Sequence, residues 1–117
     1  MSDYLVFHNP SCSKSRGALQ ILADEGIETD VVEYLKAPPS AETLASFLAM
    51  LSDPPGELVR KDKRFAELGL EPADYTTREQ VIAILREHPE LMQRPVVVRG
   101  ARAVIARPSE KVLEILD

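Results

Sequence analysis

A single thiol stands in a short polar and basic stretch, His8-Asn9-Pro10-Ser11-Cys12-Ser13-Lys14-Ser15-Arg16, and it is the one cysteine in 117 residues. The thiolate is the reactive form, and an unperturbed thiol is mostly protonated at neutral pH. Two features of this stretch favour the anion. An apolar run ends just before it and a helical pattern begins just after it. The sulfur therefore stands where a helix start presents unpaired N–H groups and the positive end of its dipole. Cationic or donor side chains are also close in sequence, with His8, Lys14, Ser15 and Arg16 as candidates. The same N–H groups suit an anionic substrate beside the sulfur. A lone cysteine is more often a small buried hydrophobe. Such a residue sits inside an apolar run, and Cys12 does not. Cys12 is therefore read as a nucleophile. Cys12 and Ser15 have the spacing of a Cys-x-x-Cys motif with serine in place of the second cysteine. Such a site makes no disulfide of its own, and a redox cycle on it needs an external thiol. Ser15 is placed to donate a hydrogen bond to the thiolate from one helical turn away, or else to serve as an ordinary first-turn serine.

The elements that must position this thiol are legible on both sides of it. Tyr4 to His8 is an apolar and aromatic strand ended by Asn9-Pro10. Ser13 to Glu25 is a helix with Ala18, Leu19, Ile21 and Leu22 on its apolar face and Gly26 as its stop. Ile27 to Tyr34 holds a second strand centred on Val31 and Val32, which makes a β-α-β crossover. Pro38-Pro39 breaks the chain, and Ser40 caps a helix with Leu44, Phe47, Leu48 and Leu51 at i, i+3, i+4 and i+7. Glu57 to Leu68 reads as a second helical segment broken near Lys61 to Arg64. A third follows, with Thr77 and Gln80 as a capping box and Val81, Ile82 and Leu85 inward. Residues 40–89 are thus expected to be an all-helical insert. Pro95 to Arg99 is the strongest strand signal, Gly100-Ala101 turns it, and Arg102 to Ala106 returns as its hairpin partner. Ser109 then caps a last helix with Val112, Leu113, Ile115 and Leu116 inward. The expected fold is α/β and thioredoxin-like, in one domain over 1–117, with a mixed β-sheet of about four strands and helices on both faces.

Composition narrows the function classes. Charged residues make up 28% and hydrophobic residues 44%, an ordinary folded chain. The net charge of -5 argues against nucleic acid as a partner. No run is long enough to span a membrane and no signal peptide is recognised, which with the absence of disulfides predicts a cytoplasmic protein. Two histidines and one cysteine without metal-type spacing predict no metal site.

The stretch around Cys12 resembles the active-site segment of the glutathione/glutaredoxin-coupled arsenate reductase (ArsC) family. The resemblance continues through Tyr34-Leu35-Lys36-Ala37-Pro38-Pro39, Leu58-Val59-Arg60-Lys61, Glu67-Leu68-Gly69-Leu70, His88-Pro89, Arg94-Pro95-Val96-Val97-Val98 and Arg107-Pro108-Ser109-Glu110-Lys111-Val112-Leu113-Glu114-Ile115-Leu116. It covers nearly the whole chain in order, and the ordered combination is far more specific than any one motif. It implies that Cys12 attacks the arsenic of arsenate. It implies that Arg60, Arg94 and Arg107 bind the oxyanion, and that His8 and Ser15 depress the thiol pKa. It implies no bound cofactor, glutathione as the external reductant, glutaredoxin as the resolving partner, and a monomer. Pro95 matches the proline that is cis in thioredoxin-like folds. Ser13-Lys14 stands where the longer enzymes have a small residue and threonine, and the chain is similar to the short bacterial members.

Physical chemistry agrees with these implied roles. Thiolate attack on arsenate brings anion toward anion, and fixed guanidinium groups offset that repulsion while binding oxyanions through paired donors. Arg94 and Arg107 each directly precede a proline at a strand boundary. Two alternatives stand beside this reading. One is a glutathione-dependent oxidoreductase acting on another thiol, and the other is a non-catalytic thioredoxin-like regulator that binds RNA polymerase. Among other residues, His88 reads as helix-terminal, Tyr34 and Tyr75 as packing residues, Arg99 and Arg102 as solvent-facing beside the turn, and Lys61, Lys63 and Arg64 as a solvated basic run.

Overall fold

In a computed structural model, residues 4–116 are described, and the chain divides into two compact units, 1–37 with 94–117 and 38–93. The first unit carries the sheet. Its elements are β1 (Tyr4–His8), α1 (Ser13–Asp24), β2 (Thr29–Glu33), β3 (Val96–Arg99), β4 (Arg102–Ile105) and a 3₁₀ helix (Ser109–Ile115). The four strands run in the order β2-β1-β3-β4. β1 and β2 are parallel, as a crossover through α1 requires, and β3 pairs antiparallel with both β1 and β4. This is the mixed four-stranded sheet expected.

Register follows from the pleat. Val6 lies opposite Val97, and Val97 opposite Val104. These three share one face with Tyr4, and with Ala18 and Leu22 of α1 and Val112 and Ile115 of the 3₁₀ helix they form a buried core. Within this unit α1 and the 3₁₀ helix therefore cover the same face. Phe7, Val96 and Ile105 on the other face are buried as well. Burial on both faces explains why these strands read as continuous apolar runs.

Local signals account for the helix ends. α1 stops in a Schellman arrangement: Ile27 N–H donates to Leu22 C=O, Gly26 N–H to Ala23 C=O, and Gly26 has φ +73°. The β3–β4 turn has Gly100 at its first central position with φ +60°, where only glycine is unstrained. The Arg94–Pro95 bond is cis, as expected, and so is Arg107–Pro108.

The last helix differs from expectation. It is 3₁₀, with three residues per turn, so Val112 and Ile115 align inward and Leu113 is left 46% exposed. Ser109 does not cap it; its hydroxyl donates instead to the Lys14 carbonyl at 2.9 Å. Arg99 and Arg102 are not simply solvent-facing either. Arg99 reaches the Ile115 carbonyl and lies over the Tyr4 ring, and Arg102 donates to the Glu114 carbonyl at 2.7 Å. Both place cations at the C-terminal end of the 3₁₀ helix, where orphan carbonyls favour them.

The second unit holds α2 (Ala41–Met50), α3 (Lys63–Glu67), α4 (Arg78–Glu87) and three 3₁₀ turns at Pro55–Leu58, Pro72–Asp74 and Pro89–Leu91. Ser40 caps α2, Asp62 caps α3, and Thr77 with Gln80 forms the expected capping box on α4. Val81, Ile84 and Leu85 are the buried residues of α4, so Ile84 takes the inward position expected of Ile82. The break in the second helical segment falls at 59–62, and Lys63 and Arg64 lie inside α3. The unit is wider than 40–89 and not purely helical. A bridge between Val59 and Met92, flanked by Arg60 N–H to Leu91 C=O and Gln93 N–H to Leu58 C=O, carries it to residue 93. The basic run is exposed, as expected, and two of its members also make contacts: Lys61 donates to the Gly56 and Val59 carbonyls, and Arg64 pairs with Glu90 at 3.1 Å.

Candidate active site around Cys12

β1 ends at His8, and the next four residues build a tight loop that delivers Cys12 to the start of α1. Asn9 organises it. Its side-chain oxygen accepts from Ser11 N–H at 2.9 Å, the local turn that asparagine forms readily, and its carbonyl accepts from Cys12 N–H at 3.0 Å. Its own N–H donates to the Ser15 hydroxyl at 3.3 Å, and both residues are buried. Cys12 is then the N-cap of α1, with extended backbone and a partly exposed side chain. Its sulfur occupies the place of the usual capping oxygen, facing the N–H groups of Lys14 and Ser15.

The thiol titrates at about 7, below its ordinary 9.0. Burial alone would raise it. The Ser15 N–H, the Arg94 guanidinium and the Lys14 N–H outweigh burial by hydrogen bonding to the anion, and the Arg94 charge adds to them. Arg107 approaches as well: its Nη1 lies 3.9 Å from Cys12 Sγ and 3.5 Å from the Arg94 carbonyl. Cys12, Arg94 and Arg107 are thus brought together within one unit.

The other expected site residues are placed differently. His8 is buried at the end of β1, opposite Glu33. Burial lowers its pKa, Glu33 partly offsets this, and Arg16 lowers it further, so His8 is neutral near pH 7 and is not among the groups that hold the thiol down. Ser15 acts on the sulfur through its N–H, and its hydroxyl accepts from the Asn9 N–H. Lys14 likewise contributes its N–H, and the Arg16 guanidinium is turned to the Pro10 carbonyl at 2.8 Å. Arg60 belongs to the 38–93 unit, where its Nε lies 3.4 Å from Asp62 Oδ2. Asn9 was not singled out from sequence, although an asparagine before Pro10 and two residues ahead of Ser11 is a recognisable turn signal. Among the described residues no helix is long and apolar enough to cross a membrane.

A thiolate flanked by two guanidinium groups and two backbone N–H groups can bind a tetrahedral oxyanion beside a nucleophile. Comparison with known proteins points the same way. Residues 7–115 match the ArsC family. The chain is 39% identical to an arsenate reductase of Acidiphilium multivorum over 117 residues, covering 99% of this chain and 82% of that protein. It is 42% identical to the uncharacterized protein YfgD of Escherichia coli over 113 residues, covering 95% and 94%. An arsenate reductase from Vibrio cholerae has the same fold, with a TM-score of 0.86, 36% identity and 97% of each chain covered.

Proposed function

Since the chain belongs to the ArsC family, we propose that it is an arsenate reductase in which Cys12 is the nucleophile. The carrying observation is the Cys12 sulfur, ionised to about half near pH 7 and faced by Arg94 and Arg107. Arg94 and Arg107 bind the arsenate oxygens and offset the repulsion between thiolate and oxyanion. The Cys12 sulfur forms a bond to arsenic, and one oxygen leaves as water after taking up protons. Arsenic is still As(V) in this adduct. Reduction to As(III) needs two electrons, and these 117 residues hold one cysteine. Two external thiols supply the electrons: glutathione attacks the adduct, and glutaredoxin resolves the mixed disulfide. The overall balance is arsenate plus two thiols giving arsenite, one disulfide and water. The protein works in the cytoplasm as a monomer without a bound cofactor.

The test is arsenate reduction with glutathione and glutaredoxin present. The native protein should turn over and Cys12→Ser should not. Turnover by Cys12→Ser would remove the proposed nucleophile. Negligible arsenate turnover together with rapid reduction of a model mixed disulfide would favour a thiol oxidoreductase of another substrate.

A further inference from the structure

Resting on the reading of Cys12 as nucleophile, we infer that Ser109 is a positioning residue that acts on the Cys12 sulfur through the Lys14–Ser15 peptide unit. The Ser109 hydroxyl donates to the Lys14 carbonyl at 2.9 Å. That carbonyl and the Ser15 N–H belong to one peptide plane, and Ser15 is the third residue of the helix that Cys12 begins, so its N–H faces the Cys12 sulfur and favours the anion. The order is therefore Ser109 O–H to Lys14 C=O, then Ser15 N–H to Cys12 Sγ. A hydrogen bond accepted at the carbonyl polarises the amide and strengthens its N–H as a donor. It also fixes the plane in which that N–H points.

A second observation shows that the contact is built in. A Cβ placed on Gly17 would come within 2.6 Å of the Ser109 oxygen and 3.2 Å of its Cβ. Gly17 has ordinary φ, so its lack of a side chain serves close approach rather than backbone conformation. α1 and the segment after β4 meet here because position 17 is bare. Ser109 lies two residues after Arg107, whose guanidinium is 3.9 Å from the same sulfur. One serine therefore fastens the Arg107 segment to the first turn of α1, which holds the nucleophile. Arg94 and Arg107 are the charged groups facing the sulfur, and replacing Ser109 adds or removes no charge there.

The experiment is the pH dependence of Cys12 alkylation by iodoacetamide in the full chain, for native protein, Ser109→Ala, Ser109→Thr, Gly17→Ala and the double variant Gly17→Ala/Ser109→Ala. Ser109→Ala should raise the apparent pKa by roughly half a unit, a roughly twofold loss of rate at pH 7 with an unchanged rate at high pH. Ser109→Thr keeps the hydroxyl and should restore the native profile. Gly17→Ala should shift the same way, and the double variant should shift no further than the larger single change. A native profile for Ser109→Ala, a shift of equal size in Ser109→Thr, or additive shifts in the double variant would each overturn the inference. A native-protein pKa at the ordinary thiol value would instead overturn the nucleophile reading on which it rests.

Discussion

Replacing Arg94 by glutamine tests the side chain whose hydrogen bond and charge help the Ser15 and Lys14 N–H groups to ionise Cys12. The thiol titrates at about 7 because Arg94 and the N–H groups of Ser15 and Lys14 together outweigh burial. Glutamine removes the charge and leaves both N–H donors in place. A single opposite charge at hydrogen-bonding range typically shifts a pKa by 1–3 units, and the low end applies at a partly exposed sulfur. The expected thiol pKa in Arg94→Gln is thus higher by about one unit. At pH 7 the thiolate fraction would fall from about one half to about one tenth, a roughly fivefold loss of alkylation rate. At pH 10 the two proteins should react at similar rates, since both thiols are ionised. Thiolate absorbance in the ultraviolet gives the same titration without a reagent. Arg107→Gln is the comparison: Arg107 Nη1 donates to the sulfur only at a long 3.9 Å, so its loss should raise the thiol pKa less than the loss of Arg94. A pKa unchanged in Arg94→Gln, or moved more by Arg107→Gln, would refute this account of the thiolate.

Three further outcomes follow from the same structure. Ser15→Ala should leave the thiol pKa nearly unmoved, because the N–H is the donor, while orphaning the buried Asn9 N–H at a cost of about 1–3 kcal/mol in urea unfolding. The folded pKa of Cys12 lies below its ordinary value, so ionisation stabilises the fold at high pH and that contribution is lost as pH falls through about 7. The melting temperature of the native protein relative to Cys12→Ser should therefore rise between pH 7 and pH 9, as followed by circular dichroism. Leu22→Ala empties a fully buried site in the sheet unit and should cost about 2–5 kcal/mol by denaturant titration.

Local signals along the chain were enough to order the elements and to place the thiol. Breakers, caps and periodicity are local, and they read correctly: Asn9-Pro10 ending β1, Gly26 ending α1, the Thr77–Gln80 box, and the turn at Gly100. Cys12 at a strand–helix boundary was legible for the same reason. Where long side chains point was not legible. Sequence proximity nominated His8, Lys14 and Arg16 as cations beside the sulfur. Folding left His8 neutral by burial, turned Arg16 to the Pro10 carbonyl, and brought from distant segments Arg94 and Arg107, which only the family resemblance had named. Ser109 read as a cap and was taken by the Lys14 carbonyl, and Leu113 read as core and was turned outward by a tighter helix. The physical reason is common to these cases. A local signal specifies backbone conformation over a few residues, whereas the partner of a polar side chain depends on which carbonyls, sulfurs and charges tertiary packing carries to it from elsewhere in the chain.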